Sequence, residues 1–188
     1  EPLPPGDFAP RENTAAEGML VRLAPLPPLP AEPPTLPEDA LPDGLVEALQ
    51  EAAQHPTGRA LVATDGGSSG EGRDLGHRRA SVGIAVRTAN DFIEGFNLPR
   101  PGLDQSPHVS ELWGLWVATV ALALAAVPAD VFIDNLSVVR GGRRAWAGGD
   151  PPRRQPAAWH AIREQARRIP NATLQWCPSH GKRPDWRP

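Results

Sequence analysis

Two apolar runs in this chain each end on an aspartate, Asp65 in LVATDGG and Asp134 in VFIDN, and a third acid, Glu111, opens the apolar run SELWGLW. A carboxylate at the end of a buried strand is costly unless a cation or a hydrogen-bond donor satisfies it. Three such positions, far apart in sequence, select folds that bring two strand ends and one helix start to a common point, and they suggest a metal. Singly, each acid has a plainer reading. Asp65 before Gly66 and Gly67 suits a turn, Glu111 suits a first-turn acid on a helix dipole, and Asp134 with Asn135 suits a helix cap. Jointly, in this strand and helix context, the metal reading is favoured.

The rest of the chain supplies that context. DGLVEALQEAAQ, from Asp43, sets Leu45, Val46, Leu49 and Ala53 on one stripe and predicts a helix. RALVATD predicts a short strand. RASVGIAVR alternates, with Ala80, Val82, Ile84 and Val86 on one face, and DFIEGFNL is its expected antiparallel neighbour. Gly66 to Gly76 reads as a long polar turn. Ser106 and Pro107 suit an N-cap and first helical position, and the helix through HVSELWGLWVATVALALAAV is apolar nearly all round, as a helix between layers would be. Its apolar stretch, Leu112 to Val127, is shorter than the roughly 17 to 25 residues of a membrane span and is bounded by Glu111 and Pro128, so no membrane partner is expected. ADVFID then resumes a strand. A strand, helix, strand succession calls for a right-handed crossover and a parallel pair. If LVATD is the neighbour, Asp65 and Asp134 lie side by side at carboxyl strand ends with Glu111 above them, where α/β sheets form their sites.

Of 24 prolines in 188 residues, 12 fall between Pro2 and Pro42, in a segment with no sustained apolar period. Residues 1–42 are therefore expected to be a disordered or polyproline-like linker, 43–58 a helical lead-in, and 59–188 the domain. Within the linker, RLAPLPP carries Arg22, Pro25 and Pro28 at the spacing of a proline-motif ligand, which points to a binding partner through residues 22–30. Charge is uneven. Residues 1–60 hold 10 acids against 3 arginines, whereas residues 140–188 hold 11 basic residues against 3 acids, which suggests a polyanion-facing C-terminal third. The lone Cys177 excludes a disulfide framework and a cysteine zinc site, and reads as a small core residue. The opening lacks a basic-then-apolar run, so an intracellular location, cytoplasmic or nuclear, is expected rather than secretion. The missing initial methionine and the abrupt end at Pro188 suggest a fragment of something longer.

Read in order, ATDGG, SELWGL, FIDNLSVVRG, AAWHAIREQA and WCPSHGK resemble type 1 ribonuclease H, the nuclease that cuts the RNA strand of an RNA/DNA hybrid. The resemblance runs from about Arg59 to the end of the chain. It implies an α/β fold with a five-stranded mixed sheet, three antiparallel strands then two parallel ones, helices on both faces, and a truncated C-terminal helix. It implies Asp65, Glu111, Asp134 and His180 as catalytic residues, with His180 on a loop assisting proton transfer or product release. Two Mg2+ ions, replaceable by Mn2+, would be held by Asp65 as the bridging ligand and by Glu111 and Asp134 at its sides. The family's fourth carboxylate sits on a helix past the histidine; here Asp185, between Pro184 and Trp186, is a weak substitute, and the residue lying beyond Pro188 is the preferred alternative. Proofreading-type exonucleases carry a second acid two residues after the first aspartate, where this chain has Gly67. The hybrid is expected to meet the backbone near Gly66, Asn135, Arg140, Arg143, Arg144, Trp146, Arg153, Arg154 and Lys182, with Arg163, Arg167 and Arg168 extending the surface. A reverse transcriptase in the same parent chain, of retroelement type, is a further expected partner. The alternative is a catalytically silent domain of the same fold that only binds nucleic acid or supports a neighbouring polymerase.

Overall fold

The structure is a computed structural model, and it describes residues 41–69, 79–100, 106–150, 152 and 154–179. The proline-rich stretch up to residue 40 with its 22–30 motif, and Arg153, His180, Lys182 and Asp185, lie outside the described residues. Five strands, β1 (Ala60–Ser69), β2 (Arg79–Arg87), β3 (Ile93–Pro99), β4 (Ala129–Ile133) and β5 (Ala172–Trp176), form one sheet in the order β3-β2-β1-β4-β5. β1 with β2 and β2 with β3 are antiparallel; β1 with β4 and β4 with β5 are parallel. Four helices accompany them: α1 (Leu45–Ala52), α2 (Pro107–Ala125), α3 (Leu136–Trp146) and α4 (Pro156–Ala166).

Strand alternation sets the inner face. Ala60, Val62 and Thr64 of β1 and Ala80, Val82, Ile84 and Val86 of β2 are buried, as a period of two requires. The polar turn expected from Gly66 onward begins later. β1 stays paired through Gly67 with Ser81 as far as Ser69 with Arg79. Glycine and serine carry the same N–H and C=O as any strand residue, and β2 offers them a continuous ladder.

α2 lies on β1 and β2 and is flanked by α1, α3 and α4, which explains its apolar composition on all sides. By length and composition it could cross a membrane, yet it is the central core helix of this domain. Its buried Thr119 hydroxyl is satisfied by donating to the Leu115 carbonyl at 2.6 Å. α1 buries Leu45, Ala48, Leu49 and Ala52, a stripe turned slightly from the one expected, and packs into the same core. The described helices all gather on one sheet face. On the other, Ala63, Asp65, Gly95 and Asn97 are exposed, and the second-face helix implied by the resemblance would follow β5, outside the described residues.

At the starts of the parallel strands, Arg59 donates from Nε and Nη2 to both Asp130 oxygens, at 2.9 and 2.7 Å, and from Nη2 to the Ala129 carbonyl at 2.7 Å. The Thr173 hydroxyl adds a bond to Asp130 at 2.6 Å. This two-pronged pair ties β1, β4 and β5 together and holds the Asp130 carboxyl below the usual carboxylate range. The opposite ends of the same strands are therefore fixed in register, and those ends carry Asp65 and Asp134.

Candidate metal centre

Thr64 of β1 pairs with Ile133 of β4, so the next residues, Asp65 and Asp134, emerge side by side. Glu111 comes down on them from the first turns of α2. One carboxylate oxygen from each of Asp65, Glu111 and Asp134 lies within 4.8 Å of the others. The three acids expected to meet do so.

Gly66 is what lets them. A Cβ at this position would stand 2.2 Å from the Glu111 nitrogen, 2.4 Å from the Ser110 carbonyl carbon and 2.7 Å from the Glu111 Cα. Helix backbone rests directly on strand backbone here, and no side chain fits between them. One turn along α2, Gly114 also keeps the helix close to the sheet, but against side chains, its missing Cβ lying 3.1 Å from the Val82 Cγ1. Gly66 is buried, and its N–H donates to the Glu111 carboxylate. Its placement is thus beneath the helix, holding a carboxylate, rather than at the hybrid-facing surface expected for it.

Glu111 is 7 % exposed, and its Oε2 is buried with no hydrogen-bond partner. Burial, followed by the charges of Asp134 and Asp65, pushes its carboxyl up to about 8. An orphaned carboxylate oxygen facing two other acids is the environment that a divalent cation relieves. The donors are hard oxygens, which suit Mg2+ or Mn2+. Asp65, Glu111 and Asp134 therefore fit the metal that the resemblance implies.

A pH dependence follows. Without metal, the folded chain keeps a proton on Glu111 that the unfolded chain releases above about 4.5. Stability contributed by that proton is complete below about 4.5 and is lost as pH rises through about 8. Thermal melts of the metal-free protein are expected to fall in Tm across this window, and saturating Mg2+ is expected to reverse the fall. A flat profile without metal would contradict the geometry.

The remaining residues sort by contact. Asn135 caps α3, its side-chain oxygen accepting from the N–H groups of Ser137 at 3.1 Å and Val138 at 3.3 Å, so that oxygen is already committed. The basic segment is helical, as α3, as far as Trp146. Arg140 and Arg144 line a groove of about 460 Å3 with Leu136, Ser137, Gly141 and Pro152. It continues into a cavity of about 360 Å3 lined by His108, Ser137, Pro152, Arg154 and Trp159. Arg143 points elsewhere, donating from Nε to the Leu174 carbonyl at 2.8 Å and tying α3 to β5. Trp146 packs against the core with its indole nitrogen buried, so it is not the free stacking ring expected of it. Arg167 and Arg168, just past the end of α4, pair back to Glu164 and Gln165 of that helix, the simple exposed arrangement.

Cys177 also departs from expectation. It lines an open cavity of about 390 Å3 with Asp65, Asp134 and Asn97 on the uncovered sheet face. Burial, then the charges of Asp134, Glu111 and Asp65, raise its thiol above the ordinary range. Sequence reading also missed His108 and Ser137. Both sit in the first turn of a helix beside an acid, the signal that could have drawn attention to them, and they approach each other at 3.4 Å, Nδ1 to Oγ.

No protein-family model and no curated protein matches this sequence. Solved structures do. The solution structure of the PFV RNase H domain superposes with a TM-score of 0.55 at 17 % identity, over 66 % of this chain and 81 % of that one. The foamy viral protease-reverse transcriptase in complex with an RNA/DNA hybrid gives 0.53 at 14 % identity, over 80 % of this chain and 19 % of that one. Its complex with dsDNA gives 0.52 at 17 % identity, over 70 % and 84 % of the two chains. At such identities what is shared is the path of the backbone, from three antiparallel strands through a buried crossover helix to two parallel ones, and in fold the chain is an RNase H-like domain.

Proposed function

We propose that this chain is a metal-dependent endonuclease that hydrolyses the RNA strand of RNA/DNA hybrids. The observation that supports it most is the meeting of Asp65, Glu111 and Asp134 within 4.8 Å, from two strands and a helix remote in sequence. Two Mg2+ ions, or Mn2+ in their place, would be held by these three carboxylates, Asp65 between them, and would neutralise charge at the scissile phosphate and activate a water. The chain's own part is to fix the carboxylates through the β1–β4 register and the Gly66 contact, and to give up the Glu111 proton as a cation enters. His180 assists proton transfer and Asp185 is a weak fourth ligand in this reading.

The groove along α3 serves the phosphate backbone. Arg140, Arg144 and Arg154 line it, with no acid among its described lining residues. Arg153 and Lys182 join them in this proposal, and the 2′-hydroxyls and the hybrid's shape, rather than base sequence, set selectivity. Replacing Arg140, Arg144 and Arg154 together with alanine is expected to lower the slope of log affinity against log salt by about 2 to 3, evenly across sequences. An unchanged slope in a salt titration would remove the groove from the substrate path.

Foamy viral protease-reverse transcriptase structures match this chain in fold, which supports carriage alongside a polymerase in one longer polypeptide. The 22–30 segment is proposed to bind a partner with an aromatic-lined groove. The decisive experiment incubates the protein with labelled RNA/DNA hybrid, double-stranded RNA and double-stranded DNA, with and without Mg2+. Metal-dependent cleavage of the hybrid's RNA strand is expected. Salt-sensitive hybrid binding with no cleavage would select the silent binding domain instead.

A further inference from the structure

Among the described residues, four large apolar side chains stand exposed: Phe92, Ile93, Leu136 and Trp176. Phe92 and Ile93 belong to the turn between β2 and β3, at the Arg87 end of β2, beside the start of β1. Leu136 and Trp176 bracket Asp134 instead. Leu136, 44 % exposed, opens α3 two residues after Asp134, and Trp176, 39 % exposed, closes β5 beside Ile133.

Trp176 is held in place by the residue it neighbours. Its Nε1–H donates to the Asp134 main-chain carbonyl at 3.0 Å. The indole has no other polar atom, so the part of the ring left open offers a π surface and no hydrogen-bonding group. Such a surface does not suit a phosphate. It suits the flat face of a nucleobase or the apolar side of a ribose. The carbonyl it binds belongs to Asp134 of the carboxylate cluster, and one helical turn, about 6 Å, beyond Leu136 on α3 stands Arg140 in the basic groove.

We propose that Trp176 and Leu136, which flank Asp134, form a nucleoside-contact platform next to the carboxylate cluster, so that the surface selects a nucleic acid strand over other polyanions. The platform deepens the nuclease reading and rests on it only for its place in cleavage; its role in binding is separable.

The test compares wild type with Trp176→Ala, Trp176→Phe and Leu136→Ala for binding of a short RNA/DNA hybrid and of linear polyphosphate, with calcium in place of magnesium. Trp176→Ala is expected to weaken hybrid binding about tenfold or more and to leave polyphosphate binding unchanged. Trp176→Phe, which keeps a ring and loses the N–H bond to Asp134, is expected to stay within about threefold of wild type. A Phe variant as weak as the Ala variant would overturn the platform in favour of a purely structural pin. Equal losses for hybrid and polyphosphate, or none for either, would overturn it too. Should Trp176→Ala not fold, Leu136→Ala at the helix surface carries the test, with a hybrid-specific loss of about threefold expected and wild-type affinity overturning the idea. A wild type that binds in this pattern yet never cleaves hybrid would sink the nuclease reading alone; a cleaving enzyme indifferent to both residues would sink the platform alone.

Discussion

Gly66→Ala is expected to cost the domain at least about 3 kcal/mol of stability and its metal site with it. Overpacking a well-filled interior usually costs about 1 to 3 kcal/mol because side chains can shift. Here the three atoms nearest the new methyl are all main chain, the closest at 2.2 Å, and helical main chain cannot rotate aside as a side chain can. α2 would have to lift off β1, carrying Glu111 away from Asp65 and Asp134 and opening the centre of the core. Two neighbours calibrate the result. Gly67→Ala meets nothing within 4 Å and should be near neutral, whereas Gly142→Ala meets the movable tip of Leu174 and should fall between. Urea unfolding and Mg2+ titration calorimetry read the series. A Gly66→Ala protein indistinguishable from Gly67→Ala would mean that the strand and helix do not touch as described.

Asp65→Asn is expected to move activity and stability in opposite directions. Under the proposed nuclease reading, loss of the Asp65 carboxylate should lower hybrid cleavage at least about a thousandfold, since bound ions would supply several kcal/mol of charge stabilisation and each 1.36 kcal/mol is tenfold in rate. The same change removes one of the two negative charges that raise the Glu111 carboxyl. The metal-free variant should therefore melt higher than wild type near pH 8, where wild type is losing its Glu111 proton. Single-turnover cleavage and pH-resolved melts check the two halves. Wild-type cleavage by the variant would end the metal-centre reading. Lost cleavage with no gain in melting temperature would leave the site but remove the charge coupling.

Much of this was readable from residue order alone, because the strongest signals were periodic or terminal. β2 alternates without interruption, α2 is apolar on every side, and each of Asp65 and Asp134 closes an apolar run, so an antiparallel β2–β3 pair and, with β1 beside β4, the meeting of three acids followed, while the five-stranded sheet came from the family resemblance. What was not readable depended on contacts made at a distance. Gly66 and Gly67 look alike in sequence, yet one is pressed beneath α2 and the other is open. Trp146 and Trp176 look alike too; the first turns inward on an amphipathic helix, and the second is left at a strand end against Asp134. Arginine composition marked the basic segment only as a region; the helix phase shows that Arg143 faces β5 while Arg140 and Arg144 face the groove.

The seating of α2 on Gly66 has a kinetic corollary. Asp65 and Glu111 are 46 positions apart and Asp134 follows 23 later, so no local segment holds two of the three. The chelating geometry exists only after the crossover has closed and the helix has docked, late in assembly. A bound cation can therefore slow the domain's unravelling, but it cannot hasten its formation.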